Sequence, residues 1–109
     1  MAQAYKVLGQ SNPSATTLTA LYTVPASTSA VASTIFVANR SSVATSFRIS
    51  IAKAGAGDSG EQYIYYDIAI PGNDTFAATV GISLATTDVV RVYATLATLS
   101  FTLSGVEIT

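Results

Sequence analysis

Gly55, Gly57 and Gly60 of the stretch GAGDSG stand at the G-x-G-x-x-G spacing of a dinucleotide-binding loop, directly after SFRISIAKA, which alternates like a strand. Such glycines let the backbone close on a pyrophosphate, but only where the loop opens a helix whose N-terminus faces the phosphate. After Gly60 the chain reads EQYIYYDIAI and then PGND. Tyr and Ile in alternation predict a strand, and Pro71 and Gly72 predict positions i+1 and i+2 of a type II turn. With no helix to open, residues 54–60 are expected to be a flexible connection between two antiparallel strands.

Other chemistry is equally poorly supplied. The chain has neither histidine nor cysteine, so the commonest general base, the commonest metal ligand and every thiol nucleophile are missing. Its six carboxylates, Asp58, Glu61, Asp67, Asp74, Asp88 and Glu107, are scattered. A glycosidase pair needs two of them across a cleft, usually with aromatic platforms, and the chain has no tryptophan. They read as turn residues and caps. Asp58, Ser59 and Glu61 offer oxygens to calcium without the spacing of a calcium loop. Asn39-Arg40-Ser41 and Asn73-Asp74-Thr75 match glycan acceptors but have no secretory signal before them. The expectation is no catalytic residue, no metal, no cofactor and no enzyme activity.

What remains is a recognition chemistry. Tyr63, Tyr65 and Tyr66 fall on one expected strand, and alternate positions send aromatic rings to both sheet faces, of which the domain's own core fills one. Tyrosine is enriched at interfaces, so Tyr63 and Tyr65 are expected to meet a partner. The alternative is Tyr66 in the core with two ordinary surface phenols. Arg48 and Arg91 lie among apolar and hydroxyl neighbours on two other strands, with Asp67 within reach of a sheet or subunit pairing. Both arginines are candidate interface residues; the competing reading is a side chain that snorkels past its own stem to water.

These residues need a scaffold, and 109 residues allow one domain. Charged residues make up 10% and the net charge is -1, which leaves no basic stripe for nucleic acid or lipid headgroups. The first ten residues lack the basic flank and apolar run of a secretory signal, and nowhere do 18 apolar residues run together, so a soluble chain made in the cytosol is expected. Yet half the residues are hydrophobic. So few charges protect a lone monomer poorly, which suggests faces covered by other molecules.

Periodicity supplies the elements. LTALYTVP ends at Pro25; AVASTIFVANR is a nearly continuous apolar run, with Val31, Ile35 and Val37 on one face and Ala32, Phe36 and Ala38 on the other, as in a strand buried on both sides. TSFRISIA alternates, with Phe47, Ile49 and Ile51 inward and Ser46, Arg48 and Ser50 on a wet face. TFAATVGISL, VVRVYAT and TLSFTLSGVEIT complete the series. No segment has a helical period. An all-β fold follows: a single antiparallel β-sandwich of about six to eight strands, immunoglobulin-like or jelly-roll-like, over residues 18–109. Residues 1–17, rich in small polar side chains, are expected to be an N-terminal arm or extended segment lying across a neighbour.

The segments KVLGQSNPSATTLTALYTVPAS, FVANRSSVATSFRISI and YIYYDIAIPGNDTFAATVGISLATTDVVRVYATLATLSFTLSGVEI together resemble small virion proteins of tailed bacteriophages, including those infecting cyanobacteria. LYTVP, NDT with the following GISL, and DVVRVYA with LSF carry the resemblance most specifically. It implies an all-β structural module of the head or tail, with no catalytic residues to carry over. A capsid decoration or cement protein, bridging capsomers as a homo-oligomer on the major capsid protein, is the leading expectation. A tail, neck or baseplate component comes next, then a carbohydrate-binding or host-recognition module.

Overall fold

The computed structural model describes residues 2–109. Eight strands follow in order: β1 Gln3–Ser11, β2 Thr19–Thr23, β3 Ser29–Asn39, β4 Thr45–Ala52, β5 Tyr63–Ile70, β6 Thr75–Leu84, β7 Val89–Ala94 and β8 Leu99–Ile108. They form two four-stranded antiparallel sheets, ordered β1-β8-β3-β6 and β2-β7-β4-β5. The pairs β1-β8, β2-β7, β3-β6 and β4-β5 are those of one long hairpin wrapped into a sandwich. That is the jelly-roll arrangement and not the immunoglobulin one.

Residues 3–11 are the first correction. They form no separate arm: β1 runs antiparallel to β8, from Gln3 opposite Ile108 to Ser11 opposite Phe101. Lys6, Gln10 and the small polar residues hide the strand pattern because β1 is an edge strand. Its one inward apolar side chain, Leu8, sits at a bulge and packs on the core.

The core lies between the sheets. Phe47, Ile49, Val90 and Val92 on one side meet Ile35, Val37, Phe101 and Leu103 on the other, all nearly inaccessible. Rings of Tyr65, Phe76, Phe47 and Phe101 follow one another at centroid distances of 5.3, 5.1 and 6.1 Å and bridge the sheets from the β5/β6 side. At the opposite side the closure is polar. Tyr22 of β2 donates its hydroxyl to Glu107 of β8 at 2.6 Å, and Lys6 of β1 completes the group at 2.7 Å from the same carboxylate.

β3 departs from its expected phase. Ala32 pairs with Gly105 and Thr34 with Ser104, so Ser33 is an extra residue. The bulge inverts the faces: Ala30, Ala32, Ile35 and Val37 point into the core, while Val31 and Phe36 point outward. Phe36 is 42% exposed, so β3 is buried on one side only.

The β4–β5 connection carries only two three-residue 3-10 turns, Lys53–Gly55 and Gly60–Gln62, and joins antiparallel neighbours. At the PGND turn, Asn73 and not Gly72 takes the left-handed conformation, with φ 55°. Gly72 answers a different need, since a Cβ there would stand 2.1 Å from the carbonyl oxygen of Ser42.

Candidate functional site

The outer face of the β2-β7-β4-β5 sheet gathers the charged and aromatic side chains. β4 and β7 run side by side with Arg48 opposite Tyr93. On the other side, Phe47 pairs with Ile68 and Ile49 with Tyr65, so both Tyr66 and Asp67 stand against Arg48. Asp67 takes φ 53°, a left-handed conformation that aspartate tolerates better than most residues. A second irregularity follows, with Ile49 opposite Tyr65 and Ser50 opposite Tyr63.

This doubled bulge builds the site. The Arg48 guanidinium lies 4.2 Å from the Tyr66 ring centroid and 4.5 Å from that of Tyr93, a cation–π contact to each of two rings. Its Nε donates to Asp67 Oδ1 at 2.6 Å and its Nη2 to Oδ2 at 3.3 Å. That hydrogen bond is the main reason its pKa is raised further above an already high value. Tyr63 meets Tyr66 edge to face, centroids 5.1 Å apart at 89°. Burial first, and then a hydrogen bond with Asp58, hold the Tyr63 phenol above its usual pKa. Arg48, Asp58, Ser59, Gly60, Tyr63 and Tyr66 line a hollow of about 610 Å³ open to solvent.

The four candidate interface residues therefore separate. Arg48 and Tyr63 belong to the cluster. Tyr65 is a correction: it turns inward, half-buried against Phe76, and presents no free ring to a partner. Tyr66 is 56% exposed, so the alternative that placed it in the core is also overturned. Arg91 is committed locally, donating to the carbonyls of Ala56 at 2.8 Å and Gly55 at 3.3 Å. It anchors the glycine-rich loop, whose Ala54 N–H is held by Asp88 at 2.8 Å. Ser50, expected on a wet face, is fully buried.

The Arg48–Asp67 pair forms within the subunit, in place of a free snorkelling arginine. Tyr93 was missed by sequence reasoning. The signal was available: VVRVYA alternates, so Arg91 and Tyr93 must share a face. No family model, no curated protein and no solved structure matches the chain.

The remaining polar groups act as structure. Asp74 accepts the Thr75 N–H and Asp88 that of Ala85, as turn carboxylates do. Ser59 hydrogen-bonds Glu61. Among the described residues no three His, Cys, Asp or Glu side chains converge as metal ligands. Asn39, in the first glycan-acceptor pattern, is buried and spends its amide on the carbonyls of Val43 at 2.9 Å and Pro71 at 3.1 Å. What the outer face offers is stacking area, a fixed positive charge already oriented by its carboxylate, and phenol hydroxyls at the rim.

Proposed function

We propose that the chain is a structural subunit of a tailed-bacteriophage virion, a capsid decoration or cement protein that docks through its Arg48-centred face on the major capsid protein or another virion protein. One observation carries the reading: Arg48 is held between Tyr66 and Tyr93 and clamped by Asp67 before any partner arrives. Tyrosine and arginine dominate binding hot spots, and side chains already fixed lose little entropy on docking. The resemblance of LYTVP, DVVRVYA and LSF to phage virion proteins supplies the setting. Modest interfaces repeated over a shell add by multivalency, so no single contact has to be strong.

Co-sedimentation of the purified chain with phage heads lacking it tests the proposal. Binding to heads at shell-like stoichiometry, lost in the double variant Tyr66→Ser/Tyr93→Ser, is the expected result. Binding to isolated tails instead would move the subunit to the tail, neck or baseplate. No binding to either, or full binding by the double variant, overturns it.

The hollow beside the cluster favours a second reading, a carbohydrate-binding or host-recognition module. Tyr63 and Tyr66 offer ring surface, and Asp58 and Ser59 offer hydrogen-bonding oxygens. A glycan array on which the wild-type chain binds and Tyr63→Ser does not would support this reading over docking on protein.

A further inference from the structure

The opposite face of the sandwich has a contrasting chemistry. Along the β1-β8-β3-β6 sheet the outward positions carry no Asp, Glu, Lys or Arg. The two charged residues on these strands, Lys6 and Glu107, are paired with each other, and Glu107 also holds the inward Tyr22. Outward stand Tyr5 (81% exposed), Val7 (53%) and Phe36 (42%), with Val31, Val106 and Ile108 half-buried between them. The intervening positions are Ser, Thr, Ala and Gln. Tyr5, Val7, Val31 and Val106 border a shallow hollow of about 550 Å³, which the half-exposed Lys6 also lines at its edge while its ammonium pairs with Glu107.

We infer that this face is an isologous interface, covered by the same face of a second copy of the chain. Charge selects the occupant. A surface with no charge of its own offers a partner's desolvated charge only neutral hydroxyls and amides, and a buried charge without an opposite one costs several-fold more than a hydrogen bond returns. The face therefore favours an occupant that is charge-free over the contact. On this chain the other sheet carries Arg48, Asp67 and Arg91, and the loops and turns carry Arg40, Lys53, Asp58, Glu61, Asp74 and Asp88. Only the charge-free face matches itself, which is the condition for a two-fold contact.

Area meets the requirement too. Four strands of 9 to 11 residues, at about 4.8 Å between strands and about 3.3 Å per residue, give a face of about 600 Å² in projection. Two copies then bury on the order of 1,200 Å², above the ~1,000 Å² a stable specific contact needs. Sheets packing face to face in this way align at about 30°, and each copy's Tyr5 ring then has the other's hollow to fill. A net charge of -1 per chain leaves little long-range repulsion to overcome. The inference does not depend on the virion reading, because the Arg48 cluster lies on the far side of the sandwich and stays free in the dimer.

Sedimentation equilibrium of the full chain, with circular dichroism to confirm folding, tests it. The wild type is expected at twice its 11.2 kDa mass in the micromolar range. Val7→Glu on the edge strand and Ser104→Arg in the middle of the face each place a charge in the contact. Each is expected to weaken dimerisation by about two orders of magnitude or more. Tyr66→Ser on the opposite face is expected to leave it unchanged. A wild type that stays monomeric, as it does if a different protein covers this face, overturns the inference. So does a dimer that survives whichever of the two charge variants folds, or one that Tyr66→Ser dissolves.

Discussion

Arg48 and Asp67 are joined by a bulge: Phe47 faces Ile68 and Ile49 faces Tyr65, leaving Tyr66 and Asp67 together opposite Arg48. A regular ladder would place one residue there. The extra one lets a ring and a carboxylate contact the same guanidinium, with Nε 2.6 Å from Oδ1. An irregularity in the β5 ladder thus assembles a preorganised group on the surface.

Arg48→Ala is expected to lower stability by only about 1 kcal/mol, because the carboxylate is half exposed and solvent screens the pair, while the ring contacts add a similar small amount. The docking on phage heads proposed above should suffer far more than folding. Asp67→Asn keeps a side chain that tolerates φ 53° but loses the charge. A double-mutant cycle over the two residues, followed by denaturant melts, is expected to show coupling below about 1 kcal/mol.

Tyr22, Glu107 and Lys6 predict a stability that depends on pH at both ends. Hydrogen bonds first from Lys6 and then from Tyr22 hold the Glu107 carboxyl below its ordinary range. Its contribution is complete above about pH 4.5 and is lost as pH falls through the depressed folded value. Tyr22 is shifted the other way, raised above its ordinary 10.0 chiefly by burial and then by Glu107. Its contribution is intact below pH 10 and is lost as pH climbs from there toward the folded value. Thermal melts across pH should show Glu107→Gln flattening the acid limb and Tyr22→Phe the alkaline one. Glu61, lowered, and Tyr63, raised, leave part of each slope in place. At neutral pH Tyr22→Phe should cost about 1–2 kcal/mol.

Arg91→Ala should loosen the loop more than the fold. Without the bonds to Ala56 and Gly55 the loop is held to the sheet chiefly through Asp88 and Gln62, the latter donating to the Gly57 carbonyl at 2.8 Å. Tryptic cleavage after Lys53 is expected to accelerate several-fold while the melting temperature falls by a few degrees. Unchanged cleavage would show that Arg91 holds nothing there.

Gly72→Ala places a methyl group against the Ser42 carbonyl and forces one of two turns to move. A loss of about 1–3 kcal/mol is expected. Asn73→Gly, at the residue that takes the left-handed conformation, should be near neutral. The pair of measurements separates close approach from backbone conformation, and equal losses would contradict that assignment.

Composition and alternation by themselves determined an all-β sandwich and seven of its strands, because a period of two is a local property of each segment. They also put Phe47 and Ile49 in the core and kept an α-helix from following Gly60. Arg48 and Tyr63 were legible as candidates by residue type. Tertiary structure decided the rest: that residues 3–11 join a sheet, that Tyr65 faces in while Tyr66 faces out, and that Val31 and Phe36 leave the core. For β1 the reason is that a polar edge strand has little apolar alternation to show, and for the others it is a bulge. A bulge is fixed by how two strands pair across space, and one inserted residue inverts every face beyond it while the sequence pattern shows no break.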